Sequence, residues 1–181
     1  MAMLAVIPYI KDILHGTTRP NIFSWFLWVL LLSISTIAQI SAGASWSVVF
    51  LIGDLIGTSA IFVLCLIGYG YKKYGWLEWS CLGLAVIAII SWQLTNQPVL
   101  AIIFSIIADA LASVPTIVKA YKDPWSEDSL QWIIIASASI LAILSTTIWD
   151  LANVIFPAYL FMVNGTIGTI SLVRRKNLGK I

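Results

Sequence analysis

Charge is scarce in this chain. Of 181 residues only 10% are Asp, Glu, Lys or Arg, and 60% are hydrophobic. Ordinary soluble domains carry about 25% charged residues. A surface this poor in charge cannot cover a fold for water, so the sequence reads as an integral membrane protein. Histidine occurs once and cysteine twice. One His and two Cys give no metal-ligand spacing, and no Ser-His-Asp or Cys-His set can be assembled. No glycine-rich phosphate loop is present. Metal, cofactor and nucleotide chemistry are therefore not expected, and neither is an enzyme. Cys65 and Cys81 both fall in the expected cytoplasmic halves of helices, where a structural disulfide is not expected.

Long apolar runs fill the remainder. Seven are drawn: Met1–Leu14, Asn21–Ile40, Ser45–Tyr69, Trp76–Trp92, Pro98–Tyr121, Asp128–Thr147 and Leu151–Val173. Most approach the roughly 20 residues that cross a bilayer as a helix. None alternates with period two, which excludes barrel strands. The first run is the anomaly. Its length of about 21 Å, at about 1.5 Å per residue, falls short of a core of about 30 Å. A truncated helix, or a start upstream of Met1, is the expectation. It is too short and poorly flanked for a signal peptide.

The ten basic residues sort onto alternate connectors. Lys11 and Arg19 flank the first, Lys72 and Lys73 the third, Lys119 and Lys122 the fifth. Arg174, Arg175, Lys176 and Lys180 form the tail. The connectors around Ser41–Ala44, Gln93–Gln97 and Ile148–Asp150 hold none. The positive-inside rule then puts the N-terminus outside and the C-terminus in the cytoplasm. The net charge of +2 reflects topology and implies no nucleic-acid partner. Expected partners are the lipid bilayer and a small-molecule substrate. The oligomeric state is left open, a homo-oligomer included.

Two stretches echo each other 107 positions apart. Leu4-Ala5-Val6-Ile7-Pro8-Tyr9-Ile10 parallels Leu111-Ala112-Ser113-Val114-Pro115-Thr116-Ile117, and the same offset carries Trp25 onto Trp132. Helices 1–3 and 5–7 then form two parallel triplets, with helix 4 as the odd crossing that restores orientation. The expected organisation is a first repeat over 1–70, a linker helix over 71–96, and a second repeat with the basic tail over 97–181. Transporters built from such repeats bind substrate between the halves, near the midplane.

This layout resembles the PQ-loop/SWEET-like superfamily, whose members carry a Pro-Gln pair late in the first helix of each triplet. Pro8 and Pro115 match the proline, whereas Tyr9 and Thr116 stand where glutamine is usual. Pro8-Tyr9-Ile10, Gly16-Thr17-Thr18-Arg19-Pro20, Ser24-Trp25-Phe26-Leu27-Trp28, Ala38-Gln39, Gly43-Ala44 and Pro115-Thr116-Ile117-Val118-Lys119 also resemble a group of bacterial membrane proteins. The resemblance implies a bacterial inner-membrane location and transport of a sugar, vitamin or amino acid, facilitated or proton-coupled. A receptor or assembly protein with the same bundle is the competing expectation.

Candidate site residues follow from cost. Asp109, halfway along helix 5, carries an insertion penalty of about 2.5–3.5 kcal/mol, which function repays more often than packing does. The bland alternative pairs it with Ser105 or Ser113. Asp54 falls under the same rule inside Gly53-Asp54-Leu55-Ile56-Gly57. Asn164 sits midway along helix 7, beside Gly165 and Gly168. In the sugar-facilitator branch, asparagines on the third helix of each triplet line the pocket, so the resemblance assigns Asn164 that role and Asp54 its counterpart. Gly53, Gly57, Gly165 and Gly168 are read as helix-packing positions. Pro8 and Pro115 are read as hinges, and Pro157 as a kink. Trp25 and Trp132 are candidate gate or stacking residues. Trp46, Trp92 and Trp149, with Trp76, Trp79 and Trp125, are read as aromatic belts. Ser126 and Asp150 are read as helix caps, Pro20 as the first turn of helix 2, His15 as a solvated loop residue and the Arg-rich tail as an anchor.

Overall fold

The structure, a computed structural model, describes residues 2–41, 46–94, 98–144, 149 and 151–179. Side chains of 2–5, 38–39, 41, 46–51, 92, 98–101 and 151–153 are outside that description. The three uncharged connectors, the Trp46 and Trp92 side chains, the Asp150 cap and Lys180 thus fall largely or wholly outside the described residues.

All seven apolar runs form α-helices, and no strand occurs among the described residues. They are α1 (Ala2–Leu14), α2 (Ile22–Ser41), α3 (Trp46–Leu64), α4 (Trp76–Gln93), α5 (Pro98–Lys122), α6 (Ser129–Leu144) and α7 (Leu151–Leu178). Three stretches, Ile52–Tyr69, Ile102–Lys122 and Val154–Leu178, are long and apolar enough to cross a membrane. Large apolar side chains such as Ile56, Ile87, Leu94, Leu130 and Leu144 stand more than half exposed. Surfaces of that kind suit lipid better than water.

Four boundaries differ from the sequence reading. Pro20 precedes α2 rather than opening it, and Asn21 caps the helix by accepting from the Phe23 N–H at 3.0 Å. Likewise Ser126 is not the cap of α6. It ends a 3₁₀ turn over Pro124–Ser126, and Asp128 caps α6 by accepting from the Leu130 N–H at 2.9 Å. The two caps stand 107 positions apart and bond identically. At the end of α3 the chain enters a π-turn, Cys65–Tyr69, because Gly68 takes φ = 110°, a region costly for any residue with a Cβ. Finally, α7 continues through Arg174, Arg175 and Lys176 to Leu178. The guanidinium of Arg175 donates to the carbonyls of Pro124 and Glu127, and that of Arg174 to the carbonyl of Tyr121 at 3.1 Å. These arginines dock on the protein, so the tail is not a free anchor. Pro8, Pro115 and Pro157 all lie inside continuous helices.

Packing follows a definite pairing. α1 and α2 both pack on α3, α5 and α6 both pack on α7, and the two sets meet through α1 on α6 and α2 on α5. α4 packs on α5 and α2. Three buried apolar clusters result, one among α1, α2 and α3, one among α5, α6 and α7, and one joining α2, α4 and α5. Trp28 touches all three. At Gly57 an added Cβ would meet Val6 of α1 at 3.1 Å, and at Gly168 it would meet Ile133 of α6 at 2.9 Å. Gly165 is looser, with Ala136 at 4.0 Å. Gly53 is half-buried.

Candidate functional site

A cavity of about 470 Å³ lies within the bundle and is lined by every helix except α4. This size falls within the range of small-molecule pockets. Asp109 and Asp54 face it from α5 and α3, Asn164 from α7, Trp25 from α2 and Trp132 from α6. All five residues singled out as substrate contacts therefore share one space. Pro8 and Pro115 do not line it.

Asp109 is held from across the bundle. The Tyr159 hydroxyl on α7 donates to Asp109 Oδ2 at 2.7 Å, and Trp28 also offers it a side-chain donor. Ser113, the expected local partner, bonds the Asp109 backbone carbonyl at 2.9 Å. Asp54 meets neither a hydrogen-bond donor nor a cation among the described residues. The Asn164 amide donates to Leu160 one turn back on its own helix, at 2.7 Å. That bond fixes the rotamer without crossing to another helix. Most of the remaining lining is apolar, with Leu31, Ile135, Phe156 and Val163 prominent.

The basic end of the cavity is backed by a buried polar layer. Trp25 and Trp132 form its upper surface, with Trp28 5.1 Å from the first and 5.8 Å from the second, centroid to centroid. Tyr9 lies beneath, 5.5 Å from Trp25 and edge-on to Trp132 at 6.5 Å. Its hydroxyl donates to Glu127 Oε2 at 3.3 Å, and the Trp132 indole N–H donates to the same oxygen at 2.9 Å. Glu127 forms an ion pair with Lys119, both fully buried. The Lys119 ammonium also donates to the carbonyls of Arg19 and Ser126 and lies 5.5 Å over the Tyr71 ring. Burial, then the Asp123 and Glu78 carboxylates, holds the Tyr71 phenol above its usual range, so a neutral ring faces the ammonium. On the other side Thr116 Oγ1 donates to Ser24 Oγ at 2.9 Å.

Tyr9 and Thr116 each bond to another helix region, Tyr9 of α1 to Glu127 just before α6 and Thr116 of α5 to Ser24 of α2. Sequence reasoning treated Lys119 as a loop charge and Glu127 as a dipole-neutralising acid. Both are instead the centre of this layer. Tyr159 and Gln131 were missed. Tyr159 stands five residues from Asn164 and Gln131 one from Trp132, spacings that do not share a helix face, so no pattern in the sequence pointed to them. Exposed Trp76, Trp79, Trp125 and Trp149 ring the periphery, and His15 is exposed after α1.

Comparison with protein-family models, with curated proteins and with solved structures finds no match to this chain.

Proposed function

We propose that this chain is an integral membrane transporter for a small polar metabolite, working by alternating access. The observation that carries the reading is the cavity that places Asp54, Asp109 and Asn164 together between two helix triplets. Exchanging α1 with α5, α2 with α6 and α3 with α7 maps each contact among these six helices onto another contact of the same set. The matching caps at Asn21 and Asp128 share the 107-residue offset. Both features support two parallel repeats with α4 as linker, as the PQ-loop/SWEET-like resemblance implies.

In this reading the polar layer is the closed cytoplasmic gate. Tyr9, Trp25, Glu127 and Lys119 come from both triplets, so rocking one triplet against the other separates them. Separation would be prohibitive in a dry interior. It becomes affordable when water enters and rehydrates Lys119 and Glu127 as the gate opens. Pro8, next to Tyr9, and Pro115, one turn before Lys119, remove helix hydrogen bonds where bending is needed. Substrate stays on Asp109, Asp54 and Asn164 while access changes sides.

The test is uptake into proteoliposomes with Asp109→Asn alongside the wild type. The variant keeps the shape and a hydrogen-bond acceptor for Tyr159. It is expected to fold, with an unchanged melting profile, and to lose uptake. Wild-type uptake rates in the variant would refute the assignment. The bond from Tyr159 to Asp109 favours a second reading, in which the bundle is a receptor or assembly protein and Asp109 only ties α5 to α7. That reading predicts a large loss of stability in Asp109→Asn and no uptake by the wild type.

A further inference from the structure

The geometry points to a small organic monocation as the occupant of the cavity, one with an N–H donor and an apolar or aromatic body. This rests on the cavity being the substrate site, and narrows the substrate class from there. Asp54 and Asp109 both line the space, whereas no Lys, Arg or His among the described residues does. The nearby Lys119 is committed to Glu127 in the layer beneath. A carboxylate drawn out of water stays ionised beside a positive partner and otherwise takes up a proton. For half-buried Asp54 no described residue supplies that partner, and a cationic ligand is the one that would keep it ionised.

Two further atoms specify how the ligand is held. Gln131 Oε1 and Trp25 Nε1 are fully buried, line the cavity and have no hydrogen-bond partner among the described residues. Buried polar atoms are nearly always satisfied, and each vacant bond is costly. Gln131 Oε1 accepts, so it calls for an N–H or O–H. Trp25 Nε1 donates, so it calls for an oxygen acceptor such as a hydroxyl. The indoles of Trp25, Trp28 and Trp132 supply the rest, since an aromatic face attracts a cation or stacks on a ring. An anion would meet two carboxylates and no counter-charge. A neutral sugar would leave both carboxylates without a cation and would gain only stacking from the indoles.

An isosteric series tests this on the purified full chain by titration calorimetry at neutral pH. The compounds are 2-phenylethylamine, 2-phenylethanol and 3-phenylpropanoate, which share a phenylethyl body and carry a cationic, a neutral and an anionic end group. The amine is expected to bind at least about tenfold more tightly than the alcohol, about 1.4 kcal/mol, and the carboxylate not at all. Asp54→Asn is expected to weaken the amine about tenfold and leave the alcohol unchanged. Equal binding of amine and alcohol, or tighter binding of the carboxylate, would overturn the proposal even if the variant failed to fold. So would heat from sodium chloride alone that abolishes the amine signal. Radiolabelled amine uptake into proteoliposomes is the separate arm. Charge-selective binding without uptake supports the cation site and removes the transport reading.

Discussion

Lys119 and Glu127 show how differently two charges can behave in the same short stretch. Lys122 is exposed, while Lys119, less than one turn earlier, is buried against Glu127, the backbone carbonyls of Arg19 and Ser126, which accept from its ammonium, and the Tyr71 ring. Burying an ion pair stabilises little in itself, but removing one partner leaves a bare charge and costs about 3–5 kcal/mol. Glu127→Ala is thus expected to lower stability by about that amount in detergent-solubilised protein. Lys119→Met should cost a similar amount. The double variant should be more stable than the sum of the two losses predicts, by at least about 2 kcal/mol. Strict additivity in a chemical-unfolding cycle would show that the two groups are not coupled. None of this was legible in the sequence, because a lysine before a loop reads as a topology charge. Its burial depends on the 3₁₀ turn over Pro124–Ser126 folding Glu127 back onto α5. Asp109 and Asp54 were legible because a carboxylate in an apolar run is costly wherever the helix packs. Tyr159 was not, because a tyrosine in a membrane helix has an equally good interfacial reading.

At the scale of the helix, the glycines divide into those that pack and those that merely occur. Gly168 lets α7 approach α6 so closely that a methyl group would sit 2.9 Å from Ile133 Cγ1 and 3.3 Å from the Ser129 carbonyl. One of those neighbours is backbone and cannot swing aside. Gly168→Ala is expected to cost about 1–3 kcal/mol through overpacking, outweighing the gain of about 1 kcal/mol that alanine brings to a helix interior. Gly165→Ala, with its nearest neighbour at 4.0 Å, should keep that gain. Opposite shifts in melting temperature for the two variants are the expected result, and equal shifts would mean that α6 and α7 are farther apart. The pattern of glycines near Asn164 was visible in the sequence, but which of them faces a neighbour was not. That depends on helix rotation, which period alone leaves free in a segment apolar on all sides. The ends of α3 and α7 were misplaced for related reasons. Gly68 stops α3 through its backbone conformation, and Arg175 extends α7 because carbonyls of the 3₁₀ turn are there to receive it.

For the molecule as a whole, the arrangement of charge makes the sharpest statement. Every basic residue falls at one set of alternate connectors or in the tail, and the buried layer of Tyr9, Lys119 and Glu127 lies at that same end of the helices. If that end is cytoplasmic, the gate proposed above faces the cell interior and the cavity belongs to the outer half. The contacts of α1 on α6 and α2 on α5 exchange under the pairing that the echo proposes, with Pro8 on Pro115 and Trp25 on Trp132. The cavity does not follow, because its volume depends on lining side chains that the echo leaves unequal: Val6 against Ser113, and Trp28 against Ile135. Orientation is testable with single cysteines in a Cys65→Ser, Cys81→Ser background, placed at exposed positions on opposite connectors. Lys73→Cys lies between α3 and α4, and Trp149→Cys between α6 and α7. A membrane-impermeant maleimide applied to intact cells is expected to label the cysteine at 149 and to reach the one at 73 only after lysis. The reverse pattern would turn the gate outward and make the cavity open to the cytoplasm. Labelling of both in intact cells would mean that α4 to α6 do not cross an odd number of times, and the two triplets could not then be parallel.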